Sequence, residues 1–175
     1  FYLYLREKIE SEGVFIHCFT DVPIDTARGF AIYYADLPII GINDEDRPPA
    51  KSFSIIHELV HLFKRESSLC NDMNNSVTTK EEEVFCNAVA GELLVPQNAI
   101  NIVLNNNYSA PYSKEDLKQI ADRFSVSREV IIRRLLDLNK ISKIEYATYA
   151  DLFRQEIEHE REKQRADRKN GIQNN

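Results

Sequence analysis

From Phe53 to Phe63 the chain reads Phe-Ser-Ile-Ile-His-Glu-Leu-Val-His-Leu-Phe, apolar apart from one serine, two histidines and one glutamate. A helix with apolar residues on nearly every side has to lie inside its domain with other elements packed around it. It also carries polar groups into that interior. Positions i and i+4 of an α-helix share a face, so the His57 and His61 imidazoles stand side by side. Glu58 is turned about 100° around the axis from His57. Burying two imidazoles and a carboxylate without partners is costly, and one metal ion held by both rings removes that cost. The competing reading is a pair of core histidines hydrogen-bonded to neighbouring carboxylates. With 4 histidines in the whole chain, a chance His-Glu-x-x-His has odds on the order of one in a hundred.

Zinc accepts neutral imidazole nitrogens, and a catalytic zinc site uses three protein ligands and an open position for water. The helix supplies two ligands, so a third comes from elsewhere. After a polar stretch from Lys64 to Lys80, the segment Thr78 to Pro96 has the pattern of a second helix. Thr78 with Glu81, or Thr79 with Glu82, predicts a capping box at its start. Pro96 ends it. Glu83, Asn87, Gly91 and Leu94 form one stripe, and a glycine in that stripe predicts close approach to the histidine helix. Glu83 is therefore the expected third ligand, and Asn87 the amide that holds a histidine's free N–H. Glu81, Glu82 and Glu92 read as solvated charges, the first two favoured by the helix dipole.

These residues resemble the ImmA/IrrE family of metallopeptidases, a gluzincin-like group whose usual pattern is HELGH followed by E-x-x-A-N-x-F-A-A-E-L-L-M-P. Here the strings are His57-Glu-Leu-Val-His61, then Glu83-Val-Phe-Cys-Asn87 and Glu92-Leu-Leu-Val-Pro96. The likeness extends upstream through a helix ending near Gly13, a strand Val14–Phe19 and Gly29-Phe30, and downstream to about Ser142. Val60, Cys86, Val89 and Gly91 depart from the pattern, and none of them removes a ligand or the base. The resemblance implies a zinc-dependent endopeptidase whose substrates are helix-turn-helix transcriptional repressors. It puts the metal ligands on His57, His61 and Glu83 and the general base on Glu58. Such a base takes a proton from water during attack on a peptide carbonyl and passes it to the leaving amine. An oxyanion partner is also needed, with Tyr33, Tyr34, Tyr108 and Tyr112 as candidates.

Phe30–Tyr34 and Leu37–Ile42 read as two short strands joined at Ala35-Asp36. The strand before the histidine helix is expected to form one edge of the cleft, where an extended substrate could add to the sheet. Asn43 to Pro49 is a polar turn leading into that helix near Ala50.

From Ser113 to Ser142 two helices are expected, capped at Ser113 and Ser127, with a short turn at Ser125-Val126. The pair looks like a helix-turn-helix with Arg128, Arg133 and Arg134 on the would-be reading helix. Residues 113–143 carry eight Lys/Arg against five Asp/Glu, a net of 8 − 5 = +3 in a chain of net charge −6. That is too dilute for a DNA-reading face. Packing on the peptidase core, or docking a repressor, is the expected role.

The expected fold is α+β: an N-terminal helix, a small antiparallel sheet, the metal helix, the glutamate helix and a helical C-terminal region. Residues 1–104 form the peptidase core, 105–150 the helical region packed on it, and 151–175 a charged helix that docks by its first turns and then frays, with 172–175 disordered. A 43% hydrophobic content suffices for one core, and no apolar run reaches membrane-spanning length, so a cytoplasmic protein is expected. Three cysteines at unrelated spacings predict reduced thiols. Cys70 and Cys86 lie near the motif, yet no Cys-x-x-Cys supports thiolate ligation. A chain that opens on Phe1 is consistent with a piece of a longer product, in which a DNA-binding domain could precede it. The alternative to an enzyme is a regulator that binds DNA or a partner through 113–142, with a purely structural metal. A structural site has no need of Glu58.

Overall fold

The computed structural model describes residues 1–70 and 80–172. The capping box expected at Thr78 or Thr79 lies outside the described residues. A four-stranded sheet has the order β1-β3-β2-β4, built from β1 (Phe15–Phe19), β2 (Gly29–Ile32), β3 (Ile39–Asn43) and β4 (Ser68–Cys70).

The sheet is mixed, which corrects the expected antiparallel one. β2 pairs antiparallel with β3 and with β4, whereas β1 pairs parallel with β3. The cause is the connection 20–28, which arches over the end of β3. Asn43, fully buried at that end, donates its side-chain amide to Val22 O at 2.7 Å and Ala27 O at 2.9 Å. The backbone N–H of Asn43 donates to Arg28 O at 2.9 Å, and that of Asp44 to Phe19 O at 2.8 Å. The exit of β1 and the entry of β2 are thereby pinned to the same end of β3, so β2 must run back while β1 runs alongside. β3 is consequently an interior strand, not the cleft edge expected of it. The edges are β1 and β4, and β4 was hidden in a stretch read only as polar.

The inward face of the sheet carries Ile16, Ala31, Ile40 and Ile42, all buried. Against it pack α1 (Tyr2–Ser11) and α2 (Pro48–Phe63). Pro48 and Pro49 open α2, where a missing N–H leaves no bond unmade. The all-round apolar pattern does place α2 inside: Ile55, Ile56, His57, Glu58, Val60, His61 and Leu62 are all buried, and its last residue, Phe63, emerges at 80% exposure.

The helix α3 (Lys80–Leu94) lies along α2. Pro96 then caps a further, unanticipated helix, α4 (Gln97–Asn107). Its five asparagines are poor helix formers, and burial of Ile100 and Leu104 in the core outweighs that propensity. Next come α5 (Lys114–Phe124) and α6 (Arg128–Asp137). As expected, Ser113 and Asp116 form a capping box and Ser127 Oγ accepts from Val130 N. Between them Ser125 adopts a left-handed conformation, φ 56°. Leu117, Ile120, Ile131, Ile132 and Leu135 are fully buried and join the same hydrophobic cluster that begins at Tyr2 and ends at Phe153.

The last helix, α7 (Lys143–Ile172), starts earlier than expected. Ser142 and Glu145 exchange capping bonds at its start, and the hydrophobic anchor is Phe153. Residues 173–175 lie outside the described ones. The three arginines of the would-be reading helix are taken up within the chain. Arg128 lies 4.2 Å over the Phe153 ring and pairs with Glu156 at 2.8 Å. Arg133 donates to Tyr146 Oη at 3.2 Å. Arg134, buried, donates to Val95 O at 3.0 Å and pairs with Glu92. Gly91 faces Arg134 of α6, not the histidine helix, which corrects the role expected of it. Among the described residues no helix is long and apolar enough to cross a membrane.

Candidate metal centre

His57 and His61 stand on the same face of α2, as their spacing requires, and both rings are fully buried. Glu83 reaches them from the first turn of α3. The His57 and His61 Nε2 atoms are 3.1 Å apart. Glu83 Oε2 lies 3.2 Å from His57 Nε2, and its Oε1 3.5 Å from His61 Nε2. Three donors at about 2.0–2.1 Å from one tetrahedral zinc would be separated by about 3.3 Å. The observed separations lie close to that edge length, with a different Glu83 oxygen facing each ring, and His57, His61 and Glu83 are the one group among the described residues close enough together to hold a metal ion. The donor set therefore fits zinc.

The electrostatics lean the same way. Burial pulls the His61 imidazole down, but the Glu83 bond and the nearby carboxylates outweigh it and hold the ring above its usual range. Two buried imidazoles facing carboxylates make a place that favours added positive charge.

Glu58 is fully buried. Burial pushes its carboxyl above the ordinary glutamate range, against the opposing pull of His57 and of a hydrogen bond from Ser68. That bond, Ser68 Oγ to Glu58 Oε2, is 2.6 Å long. Among the described residues Glu58 Oε1 has no hydrogen-bond partner. Gly29 makes room for it: a Cβ there would stand 3.0 Å from Gly41 O and 3.2 Å from Glu58 Oε1. Because the first of these neighbours is backbone, Gly29→Ala is expected to push β2 off β3 or displace the carboxylate. A loss of about 1–3 kcal/mol, the usual cost of overpacking a core, should be visible in chemical denaturation.

Two residues beside the cluster carried no sequence signal. Ser68 belongs to the unanticipated β4. Cys86 is buried with its Sγ 3.7 Å from His61 Nδ1, on the ring nitrogen turned away from Glu83. Its thiol is pushed up to about 11 by burial, and its Sγ lies on the Nδ1 side of the ring, away from the Nε2 atom that faces His57 and Glu83. Asn87 does not fill the role expected of it. Among the described residues it makes no hydrogen bond to either imidazole, and His57 Nδ1 has no partner. Cys86, one position earlier on α3, faces His61 instead.

The four tyrosines separate. Tyr112 is buried in the core with its carbonyl accepting from Tyr149 Oη, and Tyr108 Oη donates to Gln119 of α5. Both are committed to the helical region. Tyr33 and Tyr34 lie in the β2–β3 connection, where the Tyr33 N–H donates to Ser67 Oγ at 3.0 Å.

No curated protein sequence matches the chain. A family profile does, over residues 10–136, a span that holds the sheet, both helices of the metal cluster and most of α6. On that match the chain belongs to the M78 peptidases, the IrrE N-terminal-like domains.

Proposed function

We propose that this chain is a zinc-dependent endopeptidase that hydrolyses a peptide bond in a helix-turn-helix-type transcriptional repressor, relieving repression in the cytoplasm. One observation carries the catalytic part: a triangle of His57, His61 and Glu83 donors with zinc-like spacing beside a buried carboxylate that keeps one oxygen free. His57, His61 and Glu83 would hold the ion. Bound there, zinc would supply Lewis acidity toward water and the scissile carbonyl.

The remaining work falls to the chain. Glu58 Oε1, unpartnered and next to the ligands, accepts a proton from the attacking water and returns it to the leaving nitrogen. The wall of β2 and β4 around Glu58 limits bulk water, which strengthens each of these interactions. A substrate strand would add to the outer edge of β4, since β4 ends the sheet and also carries the serine that contacts the base. The repressor as substrate rests on the family resemblance. The alternative, a DNA-binding regulator with a structural metal, would have to read DNA with arginines that are already bound to Phe153, Glu156, Tyr146, Val95 and Glu92.

Elemental analysis of protein purified without added metal, wild type beside Glu83→Ala, tests the site. About one zinc per wild-type chain, lost in the variant, is the expected result. A wild type that refuses added zinc would overturn the peptidase reading. Purified helix-turn-helix repressors incubated with the zinc-loaded chain should yield discrete fragments by mass spectrometry, and their survival intact would remove the proposed substrate class.

A further inference from the structure

Resting on the peptidase reading, we infer that Ser68 is a positioning residue that fixes which oxygen of Glu58 does the proton transfer. Ser68 is buried, at 7% exposure. Its position is set by the β2–β4 ladder, in which Ala31 is its register partner. The Ala31 N–H donates to Ser68 Oγ at 3.3 Å. A hydroxyl has one proton to give. With the strand amide filling one of its acceptor positions, that proton goes to Glu58 Oε2, 2.6 Å away.

Gly29 flanks the same carboxylate, where a Cβ would stand 3.2 Å from Oε1 and 3.3 Å from Cγ, so a side chain there would crowd the oxygen that Ser68 leaves alone. The carboxylate is thus held by a charge-assisted hydrogen bond at one oxygen and by backbone contact at its flank. Among the described residues Oε1 is left as the oxygen without a partner. Ser68 therefore sets the base through Glu58 and touches no reacting atom itself. Because Ser68 sits on β4, the strand at the sheet edge, seating of an extended peptide on that edge and orientation of the base depend on the same three-residue element.

The test uses the zinc-loaded full chain and acetohydroxamate, whose hydroxyl proton must pass to the carboxylate beside the metal when it chelates. Zinc content and acetohydroxamate affinity are measured for wild type, Ser68→Ala, Ser68→Thr and, as a control for strand integrity, Ser67→Ala. Each is then repeated in a Glu58→Gln background. Ser68→Ala is expected to keep its zinc and bind acetohydroxamate about tenfold more weakly, the lower end for partners that orient a metal site. Ser68→Thr restores the affinity and Ser67→Ala leaves it unchanged. The tenfold difference disappears when Glu58 is Gln, since the two side chains act as one unit. Should Ser68→Ala not fold, Ser68→Cys keeps the volume with a weak donor and is read for the same Glu58-dependent loss. Unchanged affinity in a zinc-loaded Ser68 variant overturns this inference alone. So does a loss that persists undiminished in Glu58→Gln, or a zinc-loaded wild type that binds no acetohydroxamate. A wild type that takes up no zinc overturns the peptidase reading and this inference with it.

Discussion

Alanine at His61 is expected to abolish zinc binding and peptide cleavage together. His61 contributes one of the three donor groups, its Nε2 standing 3.1 Å from His57 Nε2 and 3.5 Å from Glu83 Oε1. Cys86 and Glu66 are the groups beside the ring, and both face Nδ1, the nitrogen turned away from Glu83. Loss of an outer partner alone costs about 10–100-fold in metal affinity, and loss of a ligand should exceed that. Isothermal titration with zinc reads the binding, and fragment formation reads the cleavage. A variant that still took up one zinc with wild-type affinity would show that His61 is not a ligand.

Glu58→Gln is the complementary substitution, expected to separate metal binding from chemistry. Gln has the shape of Glu and can still accept the Ser68 hydroxyl at its amide oxygen, so the β4 contact survives. It cannot take a proton at neutral pH. Zinc content should stay at the wild-type level while turnover falls about 10²–10⁴-fold, the contribution of a positioned general base. Replacing a buried carboxyl by an amide also removes the desolvation that pushes Glu58 upward, so folding stability should hold or rise. Full activity in the glutamine variant would sink the assignment of Glu58 as base, whatever the zinc content.

The two substitutions together divide the site into a holding part and a reacting part. If both behave as expected, the metal is bound by α2 and α3 and the proton is moved by α2 alone, with β2 and β4 as the wall behind it.

Much of this arrangement is written in short range. The i, i+4 spacing puts both imidazoles on one face of any helix that forms, and the apolar run around them requires that helix to be buried, because exposing it would leave that apolar surface in water. The caps at Ser113 and Ser127 are equally local, each a side chain bonding an N–H three residues away. The α+β class and the approach of Glu83 follow from such signals, whereas α4 carried none.

What depends on partners distant in the chain stayed hidden. Strand direction was one such case: the parallel β1–β3 pair is set by Asn43 gathering the 20–28 connection, and no periodicity in β1 encodes it. Ser68 looked like one polar residue among many until β4 paired with β2 and carried it to Glu58, ten positions back. The stripe through Glu83, Asn87 and Gly91 was read as a single face, yet the packing angle turned Cys86 toward His61 and Gly91 toward Arg134. The sequence by itself determined the helix that carries the two histidines and the base, because helical spacing and apolar burial act within a few residues. Only the tertiary structure decided which oxygen of that base is held and what stands behind each ring, because those depend on how strands and helices far apart in the chain settle against one another.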